Sequence, residues 1–136
     1  MMRDVPHANV DDLLARARTG WTRLTATEAY DAVGLGALLV DTRTEAQRAR
    51  TGDLPGAVVI DRTVLEWRLD PTSANRIPEA VSRPRIVVVC RQGYSSSLAA
   101  RSLRDLGLDA TDVVDGVEGW LAAGLPMTRE TPDVRE

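Results

Sequence analysis

The 136-residue sequence predicts an α/β domain with a mainly parallel central sheet flanked by helices, on three observations. Short, wholly apolar runs at 37–40, 58–60 and 86–89 are too uniform for half-exposed strands and suit strands buried on both faces. Helix-forming stretches lie between them. Glycine and proline punctuate the joins, so strands and helices alternate as they do around a parallel sheet.

The first residues read as a loose tail. Asn9 is placed to cap a short helix over 10–18, with acid at its start and base at its end, as the macrodipole favours. Gly20 ends it, and residues 21–24 form a brief extended segment. Thr25-Ala26-Thr27-Glu28 is a capping-box signature for a helix to about Val33, broken by Gly34 and Gly36. The first buried strand, 37–40, leaves through Asp41-Thr42-Arg43, and Thr44 begins a short helix to Arg50 before Gly52. Leu54-Pro55-Gly56-Ala57 turns the chain into the strand at 58–60. A helix over 63–69 stops at Asp70-Pro71, and 72–84 reads as a surface loop with one helical turn near 77–81. The strand at 86–89 and a helix over 96–106 make the third strand–helix pair. Residues 112–115 are a fourth strand, and 117–123 a short last helix ended by Gly124 and Pro126. Residues after Met127 are expected to fray. The expected organisation is a tail and short helix at 1–20, a folded domain at 21–127 and a C-terminal tail at 128–136.

A chain that is 43% hydrophobic and 27% charged is ordinary for one globular core. Its formal charge of −3 supplies no general attraction for nucleic acid or an anionic membrane, so any anion site must be local. No apolar run approaches membrane-spanning length, and the start lacks the apolar stretch of a secretory leader. Neither a nucleic-acid nor a membrane partner is expected. A single cysteine, Cys90, excludes an internal disulfide and a Cys-only metal cluster. The one histidine, His7, lies in the tail, so no metal site is expected. A working free thiol fits a reducing cytoplasm.

Cys90 follows the strand at 86–89 and precedes Arg91-Gln92-Gly93-Tyr94-Ser95-Ser96-Ser97 and a helix. Ligands of parallel sheets gather at the carboxyl ends of the strands, which is where this thiol stands. A tight turn opening into a helix N-terminus aims N–H groups and positive potential at the sulfur and favours the nucleophilic thiolate. The competing reading is a small buried hydrophobe finishing a strand. The glycine-containing turn and the serine-rich helix start weigh against it. Gly93 permits the turn, Arg91 adds charge, and Tyr94 reads as a rim residue. The serines read first as helix caps, with hydroxyls that also suit a bound anion. Asp41 and Arg43 read as an ion pair tying down a strand end, not as an acid–base pair. Arg62 and Arg68 are candidates for further positive charge at the mouth.

The residues Asp41-Thr42-Arg43 with Glu45, Gly52-Asp53-Leu54-Pro55-Gly56-Ala57, the loop 90–96, and Gly116-Val117-Glu118-Gly119-Trp120 with Ala123-Gly124-Leu125-Pro126 occur in this order. With these motifs the chain resembles the rhodanese-like domain over about 21–127. The resemblance implies a parallel sheet flanked by helices with the cysteine at the bottom of a cradle-shaped loop. It also implies sulfurtransferase activity: Cys90 takes sulfane sulfur from a small anion such as thiosulfate, becomes a persulfide, and passes the sulfur to cyanide, a thiol or a protein acceptor. Arg91, Gln92, Gly93, Tyr94, Ser95 and Ser96 would then bind substrate, with no metal or organic cofactor. The physical reading of the loop asks for the same chemistry, a nucleophile facing N–H donors and acting in two half-reactions. Two positions depart from the pattern: Ser95 stands where many active members carry a second basic residue, and Asp53 stands where a histidine is usual.

Two other functions compete. A phosphatase or arsenate reductase needs a loop that surrounds a tetrahedral oxyanion and an arginine that clamps it. Here Ser95, Ser96 and Ser97 follow, and no arginine closes the loop before Arg101, inside the helix. A non-catalytic binding or regulatory module is the other rival, and the retained cysteine argues against it.

Overall fold

The structure, a computed structural model, describes residues 8–136. The start of the expected tail, with His7, lies outside the described residues. Five parallel strands form one sheet in the order β4-β3-β1-β2-β5: β1 (Leu38–Asp41), β2 (Val58–Val59), β3 (Ile86–Val89), β4 (Ala110–Asp112) and β5 (Asp133–Val134). Among the described residues, six α-helices flank it: α1 (Val10–Ala17), α2 (Ala26–Gly34), α3 (Glu45–Thr51), α4 (Leu65–Leu69), α5 (Ser95–Asp105) and α6 (Gly116–Ala122). Asn9, Thr25 and Thr44 each close a capping box, which satisfies the first amides of α1, α2 and α3. Two 3₁₀ turns, Arg62–Val64 and Pro78–Ser82, occupy the expected helix start and the expected turn in the surface loop.

The apolar runs are continuous because both sheet faces are covered. Val40, Ile86 and Val88 pack with Leu65, Leu69, Ala99 and Leu103 from α4 and α5 on one face. Leu39, Val87 and Val89 pack with Ala29, Ala32, Val117 and Trp120 from α2 and α6 on the other. Each face hides alternate residues of the same strand, so no polar alternation can appear in the sequence.

Two expectations need correction. The fourth strand runs from Ala110 to Asp112, earlier than the expected 112–115. The buried side chains there include Thr111 and Asp112, which an apolar-run criterion passes over, while Val114 has already turned out to solvent. The stretch after Met127 is also not simply frayed. Asp133–Val134 pairs in parallel with the outer edge of β2 as β5, and Arg135 donates to the Val59 carbonyl and to Glu79.

The chain goes from β1 outward to β2, then crosses to the other side of β1 for β3. The ends of β1 and β3 therefore flank a topological switch point, where connecting loops diverge and leave a crevice. Thr42 follows β1 and Cys90 follows β3.

Candidate active site

Cys90 lies at the bottom of an open hollow of about 210 Å³, lined by Thr42, Gln47, Arg91, Gln92, Tyr94 and Ser95. The residue is 6% exposed, so the thiol is buried but borders a cavity. Sγ accepts from the Gly93 N–H at 3.1 Å and from the Ser96 N–H at 3.4 Å. Ser96 is the second residue of α5, whose cap position, Tyr94, makes no side-chain capping bond. The sulfur itself accepts the orphan amide that a capping side chain would take. The serines expected to cap do other things: Ser96 Oγ donates to Asp112 at 2.7 Å, and Ser97 Oγ donates to the Tyr94 carbonyl at 2.8 Å.

The amides can face the sulfur because the loop carbonyls are held elsewhere. Val117 N–H of α6 donates to the Cys90 carbonyl at 2.9 Å, and Glu118 N–H donates to that of Arg91 at 3.1 Å. The Gly93 carbonyl receives Arg23 Nη2 at 2.6 Å and Arg18 Nη2 at 3.2 Å. Gly93 has φ +89°, and a Cβ there would lie 1.8 Å from the Val114 carbonyl oxygen. Gly116 has φ +58°, and its Cβ would fall 2.4 Å from the Cys90 carbonyl oxygen. Both positions exclude any side chain.

Beneath the loop, Arg23 grips the fully buried Asp112 through Nε and Nη2, each at 2.8 Å. That hydrogen bond to Asp112 holds the Arg23 guanidinium more strongly protonated than usual, and the neighbouring Cys90 adds to the effect. Arg18, Arg23, Asp112 and Gly116 were not legible as site residues. Arginines are frequent in this chain, and nothing in the spacing ties residues 18 and 23 to residue 93. The short extended segment at Leu24, which bridges Val113 beside β4, and the packing of α1 against α5 bring them together.

The expected site residues 90–96 do converge, with qualifications. Arg91 is half exposed and its Nε meets Glu118 Oε1 at 3.3 Å, so its charge is shared with a carboxylate. Gln92 Nε2 donates to Glu118 Oε2 at 3.3 Å, and Tyr94 is exposed at the rim. Ser96 contributes its amide, since its hydroxyl is turned to Asp112. Arg62 and Arg68 do not supply charge to this hollow. Arg62 pairs with Glu66, Arg68 donates to the Asn75 carbonyl, and neither lines the hollow. Asp41 and Arg43 form the expected ion pair at 2.8 Å, buried, with Arg43 also donating to Thr51 Oγ1 and the Gly52 carbonyl. Asp53 is paired with Arg48 at 3.4 Å. A roomier groove of about 580 Å³ lies between α2 and α6, but its walls are mostly apolar and the thiol is not among them.

Residues 25–123 match the rhodanese-like domain family. The chain belongs to that family. One relative of this rhodanese-like domain is the adenylyltransferase and sulfurtransferase MOCS3 of Arabidopsis thaliana, 34% identical over 94 residues. The matched stretch covers 62% of this chain and 20% of that protein, so the chain corresponds to a small part of it. A Rhodopseudomonas palustris protein of unknown function, named a possible tyrosine phosphatase, superposes with TM-score 0.81 at 27% identity, covering 94% of this chain and 100% of that one. A rhodanese-related protein from Thermoplasma volcanium has TM-score 0.65 at 21% identity, covering 81% of this chain and 100% of its own. Thiosulfate sulfurtransferase from Pseudomonas aeruginosa has TM-score 0.64 at 22% identity, covering 82% of this chain and 20% of that one. The last two share the fold. Among the described residues, no helix is long and apolar enough to cross a membrane.

Proposed function

We propose that this rhodanese-like domain is a sulfurtransferase in which Cys90 carries the transferred sulfur. In the first half-reaction the Cys90 thiolate attacks the outer sulfur of a small sulfane-bearing anion. A new S–S bond forms, the donor's S–S bond breaks, and its electron pair leaves with the donor remnant, sulfite in the case of thiosulfate. In the second, a thiophilic acceptor such as cyanide, a thiol or a protein thiolate attacks the terminal sulfur and Cys90 is released as thiolate. Each half-reaction moves one sulfur atom with its bond and requires no outside oxidant.

The observation that carries this reading is a buried thiol receiving two main-chain N–H groups while it borders an open hollow. Those donors stabilise negative charge on sulfur in a partly dry site. An added sulfur would extend Sγ by about 2 Å, the length of an S–S bond, into space that the hollow provides. A reducing compartment such as the cytoplasm suits a thiol that must remain free.

A phosphatase reading draws on the likeness to the Rhodopseudomonas palustris protein, the possible tyrosine phosphatase. It lacks a clamp here: Arg101, the first arginine after the loop, donates to Thr19 and pairs with Asp105 on α5. The deciding experiment is intact-mass spectrometry after incubation with thiosulfate or polysulfide. A gain of one sulfur atom that is absent in Cys90→Ala is expected. No adduct with any donor would leave a non-catalytic binding module as the better description.

A further inference from the structure

Among the described residues, Arg91 is the one charged side chain that lines the hollow over Cys90. It is not free to act as an anion receptor. Glu118, from the first turn of α6, meets Arg91 Nε at 3.3 Å through Oε1 and takes the Gln92 side-chain amide at 3.3 Å through Oε2. Both polar side chains on that flank of the loop are thus tied to one carboxylate. The adjoining depression of about 100 Å³ shares Gln47 and Arg91 with the Cys90 hollow and adds Arg43, Arg50 and Glu118. Arg43 is spent on Asp41, and Arg50 sits on the exposed last turn of α3, outside the hollow that holds the thiol.

Resting on the sulfurtransferase reading above, we infer that Glu118 determines donor charge: by neutralising Arg91 it fits the site to sulfane donors of low charge and against dianions. The charge balance gives the reason. Attack of the Cys90 thiolate on thiosulfate gathers three negative charges at the reacting atoms, which end as a cysteine persulfide anion and a sulfite dianion. Attack on the terminal sulfur of a protonated alkyl persulfide, RSSH, gathers one. The bond between the two donor sulfurs breaks, RS⁻ leaves with the electron pair, and the proton stays on the sulfur now attached to Cys90. The two inward amides serve a single negative charge on sulfur. The additional charge of thiosulfate needs an unpaired cation, and Glu118 occupies the one available. Because the pair is half exposed, the effect belongs to substrate selectivity rather than to stability.

The test compares two donors, thiosulfate and the persulfide of N-acetylcysteine methyl ester, in the wild-type chain, Glu118→Gln and Glu118→Lys. Persulfide formation on Cys90, read by intact mass with either donor, first establishes the sulfurtransferase reading. If neither donor adds sulfur to Cys90, that reading fails and this inference falls with it. With loading established, Glu118→Gln is expected to raise the ratio of kcat/KM for thiosulfate to kcat/KM for the alkyl persulfide about five- to tenfold, as the loss of one nearby charge implies. The gain should appear mainly in the KM for thiosulfate, grow further in Glu118→Lys, and shrink as salt is raised. A ratio unchanged in both variants would overturn the role of Glu118 while leaving Cys90 persulfide chemistry standing.

Discussion

Gly93 is the residue on which the geometry of the thiol depends most directly. Its N–H reaches Sγ, its carbonyl meets two guanidiniums, and its missing side chain lets the Val114 carbonyl approach. Gly93→Ala is expected to lose about 1–3 kcal/mol of stability from the left-handed backbone alone, with further loss from the collision. Chemical denaturation reads the stability. Iodoacetamide alkylation of Cys90 in the still-folded fraction should slow, because the N–H that meets Sγ is misdirected. A variant with native stability and an undiminished alkylation rate would contradict this account of the loop. Gly93 was legible in the sequence, since a tight turn after a strand calls for glycine. Gly116 belonged to a recognised motif, yet its pressure on the Cys90 carbonyl was not legible, because the approach of α6 to the loop is a tertiary contact between residues distant in sequence.

The elements that hold the loop come from three parts of the chain: the α1 end and the extended segment after it, the start of α6, and β4. Arg23 links two of them by binding Asp112 and the Gly93 carbonyl together. Arg23→Ala leaves Asp112 buried without its partner and should cost about 3–5 kcal/mol, measured as a shift in the denaturation midpoint. Arg23→Lys keeps the charge but cannot make the forked contact, so it should fall between the two. At the opposite edge, β5 is secured by Arg135, whose hydrogen bonds hold the carboxyls of Asp133 and Glu79 below their usual range. A carboxylate whose folded pKa is depressed stabilises the fold above its unfolded pKa, and that contribution disappears as pH falls through the lower folded value. Stability measured from pH 6 down to about pH 3 should therefore decline less steeply in Glu79→Gln than in the wild-type chain; parallel curves would separate β5 from this ion pair. The helices with capping boxes, at Asn9, Thr25 and Thr44, are legible in the sequence because their signals are local. β5 is not, for the opposite reason. Two exposed residues with no apolar pattern pair only because β2 offers an open edge.

At the scale of the whole molecule, the fold was legible because each apolar run had to be covered on two sides, and only alternating helices do that. The position of the thiol was legible too, as the single cysteine at a strand's carboxyl end. What surrounds it was not, since Arg18, Arg23, Asp112 and Glu118 reach the loop through the topology alone. This separation matters for function, because one architecture can carry different chemistry according to the loop it displays. The Rhodopseudomonas palustris protein shares nearly the whole of this architecture. Phosphoryl transfer nevertheless demands that several donors and an arginine surround three oxygens of the transferred group. In this chain the loop passes into α5 through Ser95, Ser96 and Ser97. Ser96 commits its hydroxyl to Asp112, and Arg101 faces Asp105 and Thr19. Incubation with an aryl phosphate should accordingly give no release of phenolate above that of Cys90→Ala, while the same preparation accepts sulfur from a sulfane donor. Cys90-dependent phosphate release at a substantial rate would mean that amides alone can clamp the oxyanion in this loop, and it would reverse the assignment.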